Sequence, residues 1–258
     1  MVRISIITIN FNNEVGLENT IQSVISQNYQ NLDYVIIDGK SNDSSLNIIY
    51  KYKSYINFYI SEIDFGIYDA MNKGIFYSKG DYLFFLNSGD IFSDNNILNS
   101  INNIVNLSNP DFIYGDSYEL DYFNNKLLKK SRSYKYINFG MFTHHQSMFY
   151  SNKIIKNFNL NYSINYKISS DWLFTYHFLN KSKIIIYSNT PICIFERGGI
   201  SIDFMKSIIE VYKIRRDEFN MPFFINSFFC LLQIFVNTVR FYFPYLYDII
   251  KFKKNKLI

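Results

Sequence analysis

Cysteine is nearly absent: the 258-residue chain carries two, Cys193 and Cys230. Two isolated thiols build neither a disulfide framework nor a zinc cluster, and they suit a reducing compartment. Charge is sparse, at 19% of residues against 48% hydrophobic, which argues against a disordered chain and leaves enough apolar surface for a real core. Proline numbers four and tryptophan one. The abundant Phe, Tyr, Asn, Ile and Lys beside them read as an AT-rich coding bias, so aromatic content alone is no sign of sugar or nucleic-acid stacking. Glycine numbers ten, and none gathers after the first strand-like run, where the turn is Asn10-Phe11-Asn12-Asn13. That argues against a dinucleotide-binding loop, a P-loop and the glycine-rich basic loop of a sugar nucleotidylyltransferase. No short apolar segment with a small-residue cleavage site opens the sequence, so no signal peptide is expected.

The net charge of +4 sits at one end. From Pro222 to Ile258 there are five basic residues (Arg240, Lys251, Lys253, Lys254, Lys256) against Asp248, so the first 221 residues are balanced. A nucleic-acid binder should carry a basic face on its folded body. This chain has only a basic end, and no nucleic-acid partner is expected.

Apolar, β-branched runs at Arg3–Ile9, Tyr34–Ile37, Phe58–Ile60 and Tyr82–Leu86 read as strands. Helical spacing between them covers Leu17–Ile25, Leu46–Tyr52 and Tyr68–Tyr77. Alternating strands and helices with near-continuous apolar strands predict an α/β fold with a parallel sheet covered on both faces. Such sheets bind ligands beyond the carboxyl ends of their strands. That rule singles out Thr8 to Asn12, Asp38 to Asp43 and Asn87 to Asp90. Beyond Asp90 the pattern loosens: helices are expected at Asn95–Leu107, near Asp171 and at Asp203–Phe219, with strands at Phe112–Asp116, Ser147–Tyr150 and Ile184–Tyr187.

Four ordered segments then resemble a known family: Ser5-Ile6-Ile7-Thr8-Ile9-Asn10-Phe11-Asn12, Val35 to Ser44, Glu62 to Gly74, and Phe85-Leu86-Asn87-Ser88-Gly89-Asp90. Together with His145-Gln146 and Gly198-Gly199-Ile200-Ser201 they are similar to family 2 glycosyltransferases of the GT-A fold, in the subgroup found in bacterial surface-polysaccharide clusters. The resemblance covers roughly residues 1 to 205. It implies a Rossmann-like, mostly parallel sheet flanked by helices, and an inverting transfer of a hexose-type sugar from a nucleotide donor, with uridine diphosphate expected. It places Thr8, Asn10, Asp38, Asp43, Asp69, Lys73 and Asn87 beside the donor; Arg197, next to Gly198-Gly199, reads as a clamp on the diphosphate or a surface arginine on a turn. Family members carry an Asp-x-Asp-like metal motif. Here it reads Asn87-Ser88-Gly89-Asp90, which leaves Asp90 as the ligand of a divalent metal, Mn2+ or Mg2+, with His145 as a further metal or diphosphate contact. The catalytic base of the family is an acid at a helix start, and Ser169-Ser170-Asp171-Trp172 fits, so Asp171 is the expected base.

Plainer readings stand beside these. Asp38, Asp43, Asp90 and Asp171 all suit turns or helix caps. Trp172 suits a core as well as a sugar platform. His144 and His145 would face opposite ways in a strand, which leaves His144 at the surface or in packing. From Phe219 to Val239 no residue is charged. On a helix, Asn226, Gln233, Asn237, Arg240, Asp248, Lys251 and Asn255 fall on one line, which predicts an amphipathic tail lying in a membrane interface, the plainer reading being a helix packed on the catalytic domain or a dimer contact. The expected organisation is a catalytic domain over 1–219 and a helical membrane-associating tail over 220–258. The expected setting is peripheral, on the cytoplasmic face of a bacterial membrane with anionic lipids, where the acceptor is a saccharide on a polyprenyl diphosphate in O-antigen or capsule assembly. The alternative is a non-catalytic sugar-nucleotide-binding or scaffolding subunit whose metal motif has decayed.

Overall fold

The computed structural model describes residues 1–120, 125–195 and 204–243. Arg197, the Gly198 to Ser201 motif and the sequence from Pro244 onward lie outside these residues.

The first half follows the sequence closely. Strands β1 (Ile4–Asn10), β2 (Leu32–Asp38), β3 (Phe58–Ser61) and β4 (Tyr82–Phe85) alternate with helices α1 (Glu14–Ile25), α2 (Ser45–Lys51) and α3 (Ile67–Tyr77). They pair in the order β3-β2-β1-β4, and every pair is parallel. All seven residues of β1 are buried, as a strand covered on both faces must be. Period-2 alternation divides its side chains. Ile4 and Ile6 pack with Leu17, Ile21 and Val24 of α1. Ile7 and Ile9 pack on the other face with Tyr68, Met71 and Ile75 of α3. There α3 lies so close that a Cβ on Gly74 would come within 2.4 Å of Ile7 Cγ2. Gly66 precedes α3 with φ of 112°, a left-handed backbone that lets the chain turn abruptly into the helix.

Beyond β4 the sheet changes character. The remaining elements are β5 (Ile91–Phe92), α4 (Ile97–Ser108), β6 (Phe112–Leu120), β7 (Lys126–Lys129), β8 (Met148–Ser151), α5 (Asn152–Phe158), α6 (Ser170–Leu179), β9 (Ile185–Phe195), α7 (Phe204–Asp217) and α8 (Phe223–Tyr242). Among the described residues the strand order is β3-β2-β1-β4-β8-β6-β9-β5, with β7 on β6. β8 runs antiparallel to both β4 and β6, whereas β9 is parallel to β6. The α/β fold is therefore as expected, but the sheet is mixed rather than mostly parallel. Antiparallel strands need no covering crossover helix between them, so the strict strand–helix alternation seen before Asp90 is lost after it.

The last helix packs on the one before it. Asn226 of α8 is buried and its Nδ2 donates to the Tyr212 carbonyl of α7 at 3.0 Å. Gln233 Oε1 accepts from Arg215 Nη1 of α7 at 3.2 Å. The polar stripe of α8 thus faces the protein at these positions, not lipid head groups. Arg215 itself is buried, donates to the Phe139 carbonyl and lies over the rings of Trp172 and Phe229. Trp172 is core, its Nε1 donating to the Ile137 carbonyl at 2.6 Å.

Candidate active site

The parallel strands end together, and their last residues form one hydrogen-bonded rim. Asp38 closes β2 and is fully buried. Its carboxylate accepts from Asn10 Nδ2 at 2.8 Å, Ser41 Oγ at 2.6 Å, the Ser41 amide at 3.0 Å and Ser61 Oγ at 2.6 Å. One buried acid therefore ties the ends of β1, β2 and β3. Asn10 continues the chain of bonds, since its Oδ1 accepts from Ser88 Oγ at 2.8 Å beyond β4. Asp38 organises the rim in this structure; its oxygens are engaged by protein donors rather than facing open space.

Asp43 does two jobs. It accepts from the Ser45 amide at the head of α2 and from the Glu14 amide at the head of α1, each at 3.0 Å. Burial would raise its pKa, but these bonds outweigh it and hold the carboxyl below its ordinary value. Thr8 lies deeper than expected. It is fully buried, with Oγ1 3.2 Å from the Tyr34 hydroxyl, because it lies two residues before the end of β1, inside the sheet. Asp69 and Lys73 sit on α3 and pair with each other at 3.5 Å. Lys73 also meets Glu62 at 2.8 Å. These carboxylates hold the Lys73 ammonium above its ordinary pKa against the effect of burial.

A cavity of about 260 Å³ opens beside this rim, lined among others by Tyr68, Asn87, Lys129, His144, Lys167 and Asp171. Asn87 reaches it from the end of β4, and its Oδ1 is buried with no donor among the described residues. Asp171 reaches it from the first turn of α6. The Tyr68 hydroxyl lies 3.1 Å from Asp171 Oδ1 and 2.6 Å from the Ile168 carbonyl. Desolvation raises the Asp171 carboxyl to about 6, opposed by hydrogen bonds from the Trp172 amide and from Tyr68, and reinforced by the negative charge of Glu210. Such a carboxylate is ionised near neutral pH yet basic enough to take a proton.

His145 also lines the cavity but is spoken for. Its Nε2 is 2.7 Å from the Tyr162 hydroxyl, and burial pushes its pKa down to about 3, so the ring is neutral. Tyr162 stacks in turn on Tyr68 and Phe174. Asp90 is buried at the turn after β4, its carbonyl accepting from Thr20 Oγ1 at 2.8 Å. Among the described residues no three or more His, Cys, Asp or Glu gather as metal ligands, so Asp90 and His145 do not form a protein cage for Mn2+ or Mg2+. The donor set this rim offers does not fit a metal held by the protein alone.

Three features escaped the sequence. His144 faces the same cavity as His145, because the extended chain tightens into a 3-10 turn at His145–Ser147. Its Nε2 is 3.2 Å from Glu119, which also pairs with Lys129. Glu210 of α7 accepts from three successive amides, Lys167, Ile168 and Ser169, at 2.7, 2.9 and 3.0 Å. It thereby clamps the loop that carries Asp171, from some forty residues downstream. Asp116, at the bulge of β6, accepts from Ser131 and Tyr187 and does not line the cavity.

The sequence profile described as Glycosyl transferase family 2 matches residues 5–181. The chain is 42% identical over 91 residues to the Uncharacterized glycosyltransferase Rv1514c of Mycobacterium tuberculosis, covering 35% of each. It is 37% identical over 120 residues to the Poly(ribitol-phosphate) beta-N-acetylglucosaminyltransferase TarP of Staphylococcus aureus, covering 45% of this chain and 36% of TarP. These alignments span about a third of the relatives' lengths. In architecture the chain is similar to S. aureus TarS 1-349 in complex with UDP-GlcNAc, with a TM-score of 0.68 at 17% identity, over 83% of this chain and 65% of that TarS fragment.

Proposed function

The chain belongs to glycosyl transferase family 2, and on that premise we propose that it moves a hexose-type sugar from a uridine diphosphate donor to a saccharide acceptor, with inversion at the anomeric carbon. One observation carries this reading: Asp171, with its carboxyl raised to about 6, lines the same cavity as Asn87 from the strand-end rim. The Asp171 carboxylate takes the proton of an acceptor hydroxyl while that oxygen attacks the anomeric carbon. The bond from that carbon to the diphosphate oxygen breaks on the opposite side, and uridine diphosphate leaves. Asn87 Oδ1, which has no donor among the described residues, accepts from a donor-ribose hydroxyl. Lys129 and Lys167 at the cavity wall offset charge on the departing diphosphate. Arg197, proposed from the sequence for the same duty, lies outside the described residues. Asn10, Asp38, Asp43, Asp69 and Lys73 keep the rim and α3 in place around the donor.

The acceptor in this reading is a saccharide on a polyprenyl diphosphate, used in bacterial surface-polysaccharide assembly, O-antigen or capsule, at the cytoplasmic face of the membrane. The UDP-GlcNAc complex of TarS and the name of TarP support a uridine-linked donor and a cell-surface glycan. Incubation with a panel of uridine diphosphate sugars and soluble saccharides tests the reading. Release of uridine diphosphate that vanishes in Asp171→Asn supports it. Binding of the donor with no turnover on any acceptor, soluble or lipid-linked, turns the assignment to the second reading, a non-catalytic sugar-nucleotide-binding subunit. That reading draws on the rim that retains Asp90 alone of the metal motif.

A further inference from the structure

A surface helix normally buries its apolar side and shows its polar side to water. In α8 the arrangement is inverted. Asn226 and Gln233 point inward to Tyr212 and Arg215 of α7. Opposite them, Phe224, Phe228, Leu231, Leu232 and Phe235 follow at the spacing of one helical face and stand in the open. Four of them are 84%, 62%, 67% and 65% exposed, namely Phe224, Phe228, Leu231 and Phe235. No charged residue interrupts the sequence from Phe219 to Val239. An exposed apolar stripe of this size on one face marks a contact surface.

We propose that this outward face of α8 is a membrane-docking surface, seated in the outer layer of an anionic lipid bilayer with the helix lying along the membrane. Charge decides the occupant. The segment from Pro222 to Ile258 carries five basic residues against one acid, next in sequence to the apolar face. Anionic head groups attract a segment of this charge. Among the described residues no helix is long and apolar enough to cross a membrane, which fits a helix lying along the surface rather than spanning it. Because the polar stripe is used on α7, the protein body sits directly above α8, and docking would hold the body against the bilayer. This rests on the reading of a lipid-borne acceptor for its purpose, but the contact itself requires no substrate.

The test is co-sedimentation of the full-length chain with vesicles of phosphatidylcholine alone or mixed with phosphatidylglycerol, at low and high salt. Folding is read from thermal melting, so the result is independent of whether uridine diphosphate binds. The chain is expected to pellet with the phosphatidylglycerol vesicles, less at high salt and less on phosphatidylcholine alone. The double variant Phe228→Glu/Phe235→Glu should lose at least about a hundredfold in vesicle affinity, since each Phe removed from the apolar layer forfeits roughly tenfold. Phe228→Ser/Phe235→Ser serves if the glutamates depress melting. The proposal is overturned if the wild type stays in solution with every vesicle, or if a melting-competent variant pellets as well as the wild type. A dimer in sedimentation velocity that these variants dissolve would give the face to a second copy and overturn it equally.

Discussion

The Tyr68 hydroxyl stands between two acceptors, the Ile168 carbonyl at 2.6 Å and Asp171 Oδ1 at 3.1 Å. Burial, and then the Asp171 charge, hold the Tyr68 pKa well above its ordinary value, so Tyr68 is a permanent donor. It fixes both the loop before α6 and the acid that begins it. From the other side, Glu210 fixes the amides of the same loop. Tyr68 and Glu210 have opposite electrostatic effects on Asp171: the hydrogen bond lowers its pKa and the nearby negative charge raises it.

Asp171→Asn should reduce turnover at least about a hundredfold with donor affinity kept, the usual loss for a general base. The same variant should melt higher than the wild type near neutral pH. The folded carboxyl titrates near 6 against an ordinary 3.8, so the native state disfavours the ionised form. The cost reaches about 3 kcal/mol at most above the folded pKa and fades as pH falls toward the ordinary value. Melting curves across that window check the sign. A variant equally active, or less stable near neutrality, refutes the assignment.

Tyr68→Phe removes the hydrogen bond that lowers the Asp171 pKa. The acidic limb of the rate profile, expected near 6, should move upward by up to about one unit. Activity should therefore fall more below neutrality than above it. A profile that drops uniformly at all pH values would mean that Tyr68 only packs.

Glu210→Gln removes the charge and keeps one acceptor oxygen, so it also gives up one or two of the three loop bonds. The acidic limb should move downward, opposite to the Tyr68 variant. Glu210→Ala should in addition lower kcat by about tenfold or more with little change in donor KM, because the loop holding Asp171 loses three hydrogen bonds. Steady-state kinetics of both variants, with melting temperatures alongside, separate charge from positioning.

Metal should add little without the donor. Asp90 belongs to no cluster of ligands among the described residues. Calorimetric titration with Mn2+ alone is expected to find no site tighter than about 0.1 mM. Any Mn2+ enhancement of uridine diphosphate binding should disappear in Asp90→Asn. Tight binding of the metal by itself would place ligands where this structure has none gathered.

Much of the first half of the fold was legible. β1 to β4 and α1 to α3 lie within a few residues of the expected runs, because apolar strands and amphipathic helices announce their period locally. The position of Asp171 at a helix head was legible for the same reason. Thr8 lies two residues short of the strand end, buried against Tyr34 rather than on the rim. Asp38 was correctly put at a strand end, yet its engagement by Ser41 and Ser61 is a three-way contact that no single run encodes.

By itself the sequence determined the α/β class, the rim acids, the family and the polar stripe on the last helix. Each depends on residues near one another in the chain, where dihedral preference and side-chain period act directly. Only the tertiary structure decided that the stripe turns inward to Arg215 and Tyr212 and leaves Phe224, Phe228 and Phe235 outside. It also decided that β8 reverses the sheet, that His144 and His145 share a cavity, and that Glu210 holds the loop of Asp171. A helical period gives the angle between side chains but not the direction in which the helix is laid down. That direction follows from packing against elements distant in sequence, where burial of Asn226 and Arg215 requires partners that only the folded chain brings within reach.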